Sequence, residues 1–260
     1  MHRVLLATLL LVLTDYGYAQ GETFDSDGVP IHYTDQGSGE PIVLVHGLTQ
    51  TLNGWHFAGI VDELSDGYRV ITLDLRGHGK SGKPHEPEDY GWNVGTDIVR
   101  LLDHLDLDKA HLIGYSMGAS IVGSILVRNS DRVLTATLAS GYFPHWDDSE
   151  EEFARFTEER GRRGERFPWE PENQNFAALA AAIRGAQFVE VSDEEITAVS
   201  VPTLVIFGSD ELERIPTGAR RYVTTPTANL SSLVIEGANH DNSVTKPEFL
   251  TAVLAHIERH

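Results

Sequence analysis

Along this chain, short, mainly apolar runs alternate with segments whose apolar residues recur every three or four positions. The runs at Pro41 to Val45, Tyr68 to Leu73, Ala110 to Gly114, Val133 to Ala139, Pro202 to Phe207 and Leu233 to Glu236 read as strands. Continuous apolarity, rather than alternation, is what a strand covered on both faces requires. Helices are expected from Asn53 or Gly54 through Leu64, along the face Val94, Ile98, Leu101, Leu102 and Leu105, and from about Ser116 to Arg128. Two more are expected near Pro216 to Val223 and from Pro247 onward. Thr23 to Tyr33 reads as a hairpin, because Asp27-Gly28 supplies a turn between two alternating segments.

This strand–helix rhythm predicts an α/β fold: a mostly parallel central sheet with helices on both faces. The rhythm stops between Tyr142 and Ser200, a stretch rich in Glu, Arg, Ala and aromatic residues with helical patches at Glu151 to Glu159 and Asn175 to Ile183. The expected organisation is therefore a core formed by 20–141 and 201–260, with 142–200 inserted as a helical cap, or lid. The first 19 residues read as a signal peptide. Met1-His2-Arg3 is a basic start, Val4 to Leu13 is an apolar run too short to span a bilayer, and Gly17-Tyr18-Ala19 is a small-x-small cleavage pattern. The sequence thus predicts export, periplasmic or secreted, and no stable membrane anchor.

Composition narrows the chemistry. The 260 residues can hold one large core, and the 41% hydrophobic and 23% charged fractions are ordinary for a globular protein. A net charge of -19, spread along the chain, argues against nucleic acid and anionic membranes as partners. There is no cysteine, which removes disulfides, thiol nucleophiles and thiolate metal sites. His256 and His260 are spaced i, i+4 on the last helix but lack the glutamate of H-E-x-x-H, so no metal site is expected. Arg160-Gly-Arg-Arg-Gly-Glu-Arg166 is a basic island that reads as a solvated turn paired with neighbouring glutamates.

The chemistry centres on Gly114-Tyr115-Ser116-Met117-Gly118. It falls where a buried strand turns sharply into a helix, the setting of a nucleophile elbow. A Cβ at either glycine would collide with backbone in so tight a bend. Ser116 is forced outward at a helix N-terminus, where unpaired N–H groups and the positive end of the dipole favour developing negative charge. A serine hydroxyl is a poor nucleophile near neutral pH and needs an adjacent base.

With His46-Gly47, Asp74-x-Arg76-Gly77-His78-Gly79-x-Ser81, the elbow, Gly208-Ser209-Asp210 and Gly237-Ala238-Asn239-His240 in this order, the chain from about residue 22 to 260 resembles the α/β-hydrolase fold family. The capped, single-domain members include serine esterases, cofactor-free haloperoxidase-like enzymes and carbon–carbon bond hydrolases. The resemblance implies Ser116 as nucleophile and His240 as base, with the acid between them in chain order. The acid is expected in the loop after strand Pro202 to Phe207. Family spacing from Gly208 falls on Glu211, whereas residue type and the run Asp-Glu-Leu favour Asp210. Asp210 is preferred here, Glu211 is the alternative, and Glu213 is the next carboxylate in the loop. The family places oxyanion-hole N–H groups at the residue after the nucleophile, Met117, and in the loop after the first long buried strand, Leu48. Trp55, Tyr115, Phe143, Trp146 and Trp169 are candidates to line a substrate pocket, while Arg76 and Asp74 read as braces for their loop.

The resulting expectation is a cofactor-free serine hydrolase acting on a small-molecule carboxylic ester of small or medium acyl size. Perhydrolysis and carbon–carbon bond cleavage on the same triad are the enzymatic alternatives. A ligand-binding or sensory protein that keeps the fold without turnover is the non-enzymatic one. Serine at the elbow argues against the branches in which an aspartate must form the covalent ester.

Overall fold

The computed structural model describes residues 21–144, 148–167, 170–189, 191–214 and 229–260. The export segment, the expected helix near Pro216 to Val223, Trp146 and Trp169 lie outside the described residues. Strands β1 (Glu22–Ser26), β2 (Val29–Gly37), β3 (Pro41–Val45), β4 (Arg69–Leu73), β5 (Ala110–Tyr115), β6 (Val133–Ala139), β7 (Thr203–Gly208) and β8 (Leu230–Ile235) form one sheet. Its order is β1-β2-β4-β3-β5-β6-β7-β8. The first two pairings, β1 with β2 and β2 with β4, are antiparallel; every later one is parallel. The hairpin turns at Asp27 and Gly28 with φ of 57° and 85°, the positive values that match the twist of the flanking strands.

Each central strand feeds two cores. On β3, Val43 and Val45 face one cluster and Ile42 and Leu44 the other; on β7, Val205 and Phe207 oppose Leu204 and Ile206. This two-sided burial is why these strands read as mainly apolar runs. One face is covered by α3 (Trp92–His104) and α4 (Met117–Arg128) through Ile98, Leu101, Val122 and Ile125. The other is covered by α1 (Asn53–Phe57), α2 (Ile60–Ser65) and the last helix, α8 (Pro247–Ile257), through Trp55, Val61, Leu64, Phe249 and Val253. Burying each of these large apolar side chains stabilises the fold by about 1.5–3 kcal/mol relative to exposure. The single helix expected from Asn53 or Gly54 to Leu64 is two helices, because Gly59 takes φ 73° and interrupts the first.

The segment between β6 and β7 carries α5 (Asp148–Arg163), α6 (Phe176–Gly185) and the short α7 (Asp193–Thr197), with no strand among the described residues. Ala154 of α5 packs with Ala180 and Ile183 of α6, and Leu48 of the core reaches this cluster. Arg184 on α6 is held by Glu151 at 3.0 Å and by Glu158 at 2.5 Å, both on α5. The basic island divides. Arg162 and Arg163 pair on the surface with Glu159, while Arg160 is buried against Glu170 with its guanidinium 3.7 Å from the Phe167 ring centroid. No helix among the described residues is long and apolar enough to cross a membrane, and no cluster of metal-ligating side chains occurs among them.

Candidate active site

The site lies at the C-terminal ends of the parallel strands, where open α/β sheets gather their loops. Between β5 and α4, Ser116 takes φ 54° and ψ −120°. A non-glycine residue at positive φ is strained, and here packing holds it there. Its N–H donates to the Ala139 carbonyl at 2.9 Å. The flanking glycines allow the bend for separate reasons. A Cβ on Gly114 would lie 2.2 Å from the Gly118 oxygen, and a Cβ on Gly118 would lie 2.2 Å from the Val45 oxygen. The first closes the strand onto the helix; the second lets α4 start against the end of β3.

His240 follows β8 in a short loop. Its Nε2 is 3.0 Å from Ser116 Oγ, and its Nδ1 is 3.0 Å from Glu211 Oε2. Tyr115, adjacent to the serine, donates its hydroxyl to the His240 carbonyl, and the two rings sit 5.4 Å apart. The loop bearing the histidine is thereby fastened to the elbow.

The preference for Asp210 is corrected by this geometry. Asp210 is exposed, and its carboxylate accepts from Ser209 Oγ at 3.0 Å. Glu211 is the carboxylate that meets the imidazole, and it is only 4% exposed. Its Oε1 accepts from Gly208 N–H and from Ser140 Oγ, each at 2.7 Å, and Ser140 Oγ is 2.6 Å from Ser243 Oγ. Burial alone would raise the pKa of this carboxyl; the hydrogen bonds from His240, Gly208 and Ser140 outweigh it and hold the pKa below the ordinary glutamate value.

Leu48 and Met117 both line the cavity beside Ser116. Among the described residues neither backbone N–H has an acceptor. Gly47 permits the approach of the Leu48 loop, since a Cβ there would come within 3.1 Å of the Ser116 side chain.

The cavity holds about 310 Å³. Its walls are Val94, Ile121, Tyr142, Ile183 and Val189 on the apolar side, with Ser120, Ser124, His78, Arg76 and Glu150 as polar members. Ile183 and Val189 come from the helical segment between β6 and β7, which therefore closes over the elbow. Three aromatic candidates are corrected: Trp55, Tyr115 and Phe143 are buried in the cores and do not line the cavity. Rings of this size face the packed interior because that is where most apolar area is removed from water. Of the wall residues that replace them, Val94, Ile121 and Ile183 follow ordinary helical periodicity, which marks burial without distinguishing a core from a pocket.

Asp74 and Arg76 brace the loop after β4, as expected. Asp74 accepts from Leu52 N–H at 2.9 Å and from Lys80 N–H at 2.8 Å, and Arg76 forms a two-pronged pair with Asp97, both contacts 2.6 Å. His46 Nδ1 lies 2.8 Å from the Gly47 carbonyl, and its Nε2 accepts from Leu75 N–H at 3.1 Å. His78 is fully buried beside it, with ring centroids 5.1 Å apart. Burial, with His46 adding to it, pushes His78 down to about 3 and keeps it neutral.

The sequence profile of the alpha/beta hydrolase fold matches residues 40–192, more than half of the chain. The chain belongs to the α/β-hydrolase fold family. Within the family it is similar to the soluble epoxide hydrolase of Corynebacterium sp. (strain C12), 36% identical over 107 residues, which are 41% of this chain and 36% of that protein. It is also similar to the dihydrolipoyllysine-residue acetyltransferase component of the acetoin cleaving system of Cupriavidus necator, 33% identical over 117 residues, which are 45% of this chain and 30% of that protein. The match spans about a third of the length of these curated relatives. Among solved structures, the enol-lactonase from Burkholderia xenovorans LB400 superposes with a TM-score of 0.74 at 21% identity, covering 91% of this chain and all of that one. At that identity the likeness concerns the fold.

Proposed function

We propose that the protein is a serine hydrolase that cleaves carboxylic esters through an acyl-enzyme. The observation that carries this reading is the hydrogen-bonded line Ser116 Oγ–His240 Nε2, His240 Nδ1–Glu211, ending beside the unpaired N–H groups of Leu48 and Met117. Glu211, accepting from Nδ1–H, leaves Nε2 with the lone pair that takes the serine proton. As Ser116 Oγ bonds to the ester carbon, its proton passes to Nε2 and the carbonyl oxygen gains the negative charge. That oxyanion is stabilised by the Leu48 and Met117 N–H groups, preorganised and shielded from water. Collapse expels the alcohol, which takes the proton from Nε2. Water then attacks the acyl-serine along the reverse path and frees the acid and Ser116. No step requires a metal or an organic cofactor.

The relatives do not choose the substrate. The epoxide hydrolase likeness suits the shared fold, but a serine at the elbow supplies a hydroxyl where epoxide opening through an enzyme ester needs a carboxylate. The lactonase likeness is chemically nearer, since a lactone is a cyclic ester. The cavity of about 310 Å³ favours a small or medium acyl group over a long lipid chain.

A panel of nitrophenyl esters of increasing acyl length, with small lactones alongside, tests the reading. Turnover should pass through a maximum at short or medium acyl length, and a fluorophosphonate should label Ser116. Ser116→Ala should remove about a million-fold in kcat with the fold intact. No turnover on any ester or lactone, together with no labelling, favours a ligand-binding role for the same cavity.

A further inference from the structure

Two buried hydroxyls take no part in the steps above, and both stand behind the acid. Ser140 directly follows β6 and is 4% exposed. Ser140 is held at φ 46°, and its N–H donates to the Ile206 carbonyl at 2.8 Å. The backbone cannot retreat, because Gly141 lies so close to the elbow that a Cβ there would be 2.4 Å from the Ser116 oxygen. Ser243 begins the short helical turn Ser243–Thr245, just past His240, and is fully buried.

The donor pattern has one solution. A carboxylate can only accept, so the single Ser140 proton goes to Glu211 Oε1 at 2.7 Å. The Ser140–Ser243 contact of 2.6 Å must then be donated by Ser243. The line runs Ser243 O–H to Ser140 O–H to Glu211 to His240 Nδ1–H, tying the loops after β6, β7 and β8 to one carboxylate. We propose that Ser140 and Ser243 form a two-hydroxyl relay that positions Glu211 and holds it charged. They are positioning residues, acting through Glu211. A glutamate is one methylene longer than the aspartate that residue type favours, and that extra rotor needs a fixed partner at its far oxygen. Hydrogen bonds in such a chain also polarise one another, so the outer hydroxyl strengthens the inner one.

The effect on turnover rests on the serine-hydrolase reading; the effect on the Glu211 carboxyl does not, which separates the two. Three variants are made: Ser140→Gly, Ser140→Ala and Ser243→Ala. Glycine accepts a φ of 46° without strain, so it removes the hydroxyl and leaves the backbone at ease. The carboxyl of Glu211 is titrated by carbon NMR in each folded variant, with thermal melts alongside, and kcat and KM are followed against pH with one nitrophenyl ester. Among the described residues, the titratable groups that act on Glu211 are His240 and Tyr115, with Asp241 acting in turn on Tyr115, and all stay in place in every variant.

Loss of the Ser140 hydroxyl, as glycine or as alanine, should move the Glu211 titration to higher pH, and Ser243→Ala should move it less. The acid limb of kcat, which reports the coupled Glu211–His240 pair, should move the same way. At neutral pH, kcat should fall about ten-fold in both Ser140 variants, the low end for a charge-assisted hydrogen bond because Gly208 N–H remains. KM should change less than about two-fold. An unmoved carboxyl titration in folded Ser140→Gly and Ser243→Ala overturns the proposal, whatever the turnover. If Ser140→Ala fails to fold, the other two variants still decide it. A moved titration without any hydrolysis in the parent protein upholds the relay and refutes only the ester chemistry.

Discussion

Glu211→Gln is the perturbation that bears hardest on the reaction, because both oxygens of the carboxylate are engaged. Oε1 receives Gly208 N–H and Ser140 O–H, and Oε2 receives His240 Nδ1. Glutamine brings one acceptor oxygen and one donor group. If its NH2 pointed at Gly208, two donors would face each other, so the oxygen must stay on the Gly208 side. The NH2 then meets Nδ1, which has to become the acceptor. The imidazole changes tautomer, Nε2 carries the proton, and it can no longer take one from Ser116. In a comparable triad this change costs about ten-thousand-fold, equivalent to about 5 kcal/mol of barrier. Asp210→Asn removes an exposed charge that accepts from Ser209 and should cost less than about ten-fold. The assay is kcat/KM on one nitrophenyl ester for both variants, with thermal melts to confirm folding. Near-normal turnover in Glu211→Gln, or a larger loss in Asp210→Asn, refutes the reasoning.

Two further outcomes concern stability. Gly114→Ala places a Cβ 2.2 Å from the Gly118 oxygen and 2.7 Å from the Ala119 Cα, backbone that cannot give, and should destabilise by about 3 kcal/mol in urea melts. Gly67→Ala, where a Cβ meets nothing within 4 Å, should stay within about 0.5 kcal/mol. Acid should weaken the fold well before the carboxylates titrate. The unfolded chain protonates His78 below its ordinary value of 6.5, whereas the folded protein resists until about 3, so stability is complete above 6.5 and falls between these limits. The loss is about 1.4 kcal/mol per pH unit for each such histidine, and His46, also depressed by burial, acts in the same direction. Below the ordinary glutamate value of 4.5, Glu211 adds to it, its stabilisation being lost as pH falls through its depressed folded pKa. Melting temperatures from pH 7 to 5 should decline, and His78→Gln should flatten that slope; an unchanged slope counts against the buried neutral imidazole.

Much of the architecture is legible in the sequence because burial on two faces writes mainly apolar runs, and β3, β5 and β7 are such runs. The elbow is legible because its glycines answer to backbone collisions that any side chain would cause. The break after Gly59 is less so, since Ile60, Val61 and Leu64 continue an apolar face across it. The cavity wall is the least legible part. Large aromatics attract attention, yet Trp55 and Phe143 are core, while the wall includes Ile121 and Ile183, whose spacing is that of any buried helix face, and Val189, which follows a short helical turn. Ser140 and Ser243 carry no pattern at all. They stand 103 residues apart, and only the sheet order, with β6 and β7 as neighbours, brings them to one carboxylate.

The choice between Asp210 and Glu211 shows how such a signal is decided. Residue type selects the aspartate and spacing from Gly208 selects the glutamate; the two adjacent carboxylates cannot both face the imidazole. The backbone settles the matter before either side chain does. Gly208 packs so tightly on the next loop that a Cβ would lie 2.2 Å from the Ala238 oxygen. Ser209 Oγ accepts from Gly237 N–H at 2.9 Å, and Asp210 N–H donates to the same Ala238 carbonyl at 3.0 Å. These bonds stitch the start of the turn Ser209–Arg214 to the histidine loop and leave the Asp210 side chain outside. In a 3₁₀ turn each residue advances by a third of a revolution, so the next position swings inward. Spacing therefore fixes which Cα faces His240, and the type of acid adapts to the distance left. A glutamate spans that distance with one more rotatable bond than an aspartate, and the hydroxyl of Ser140 meets it at the far end.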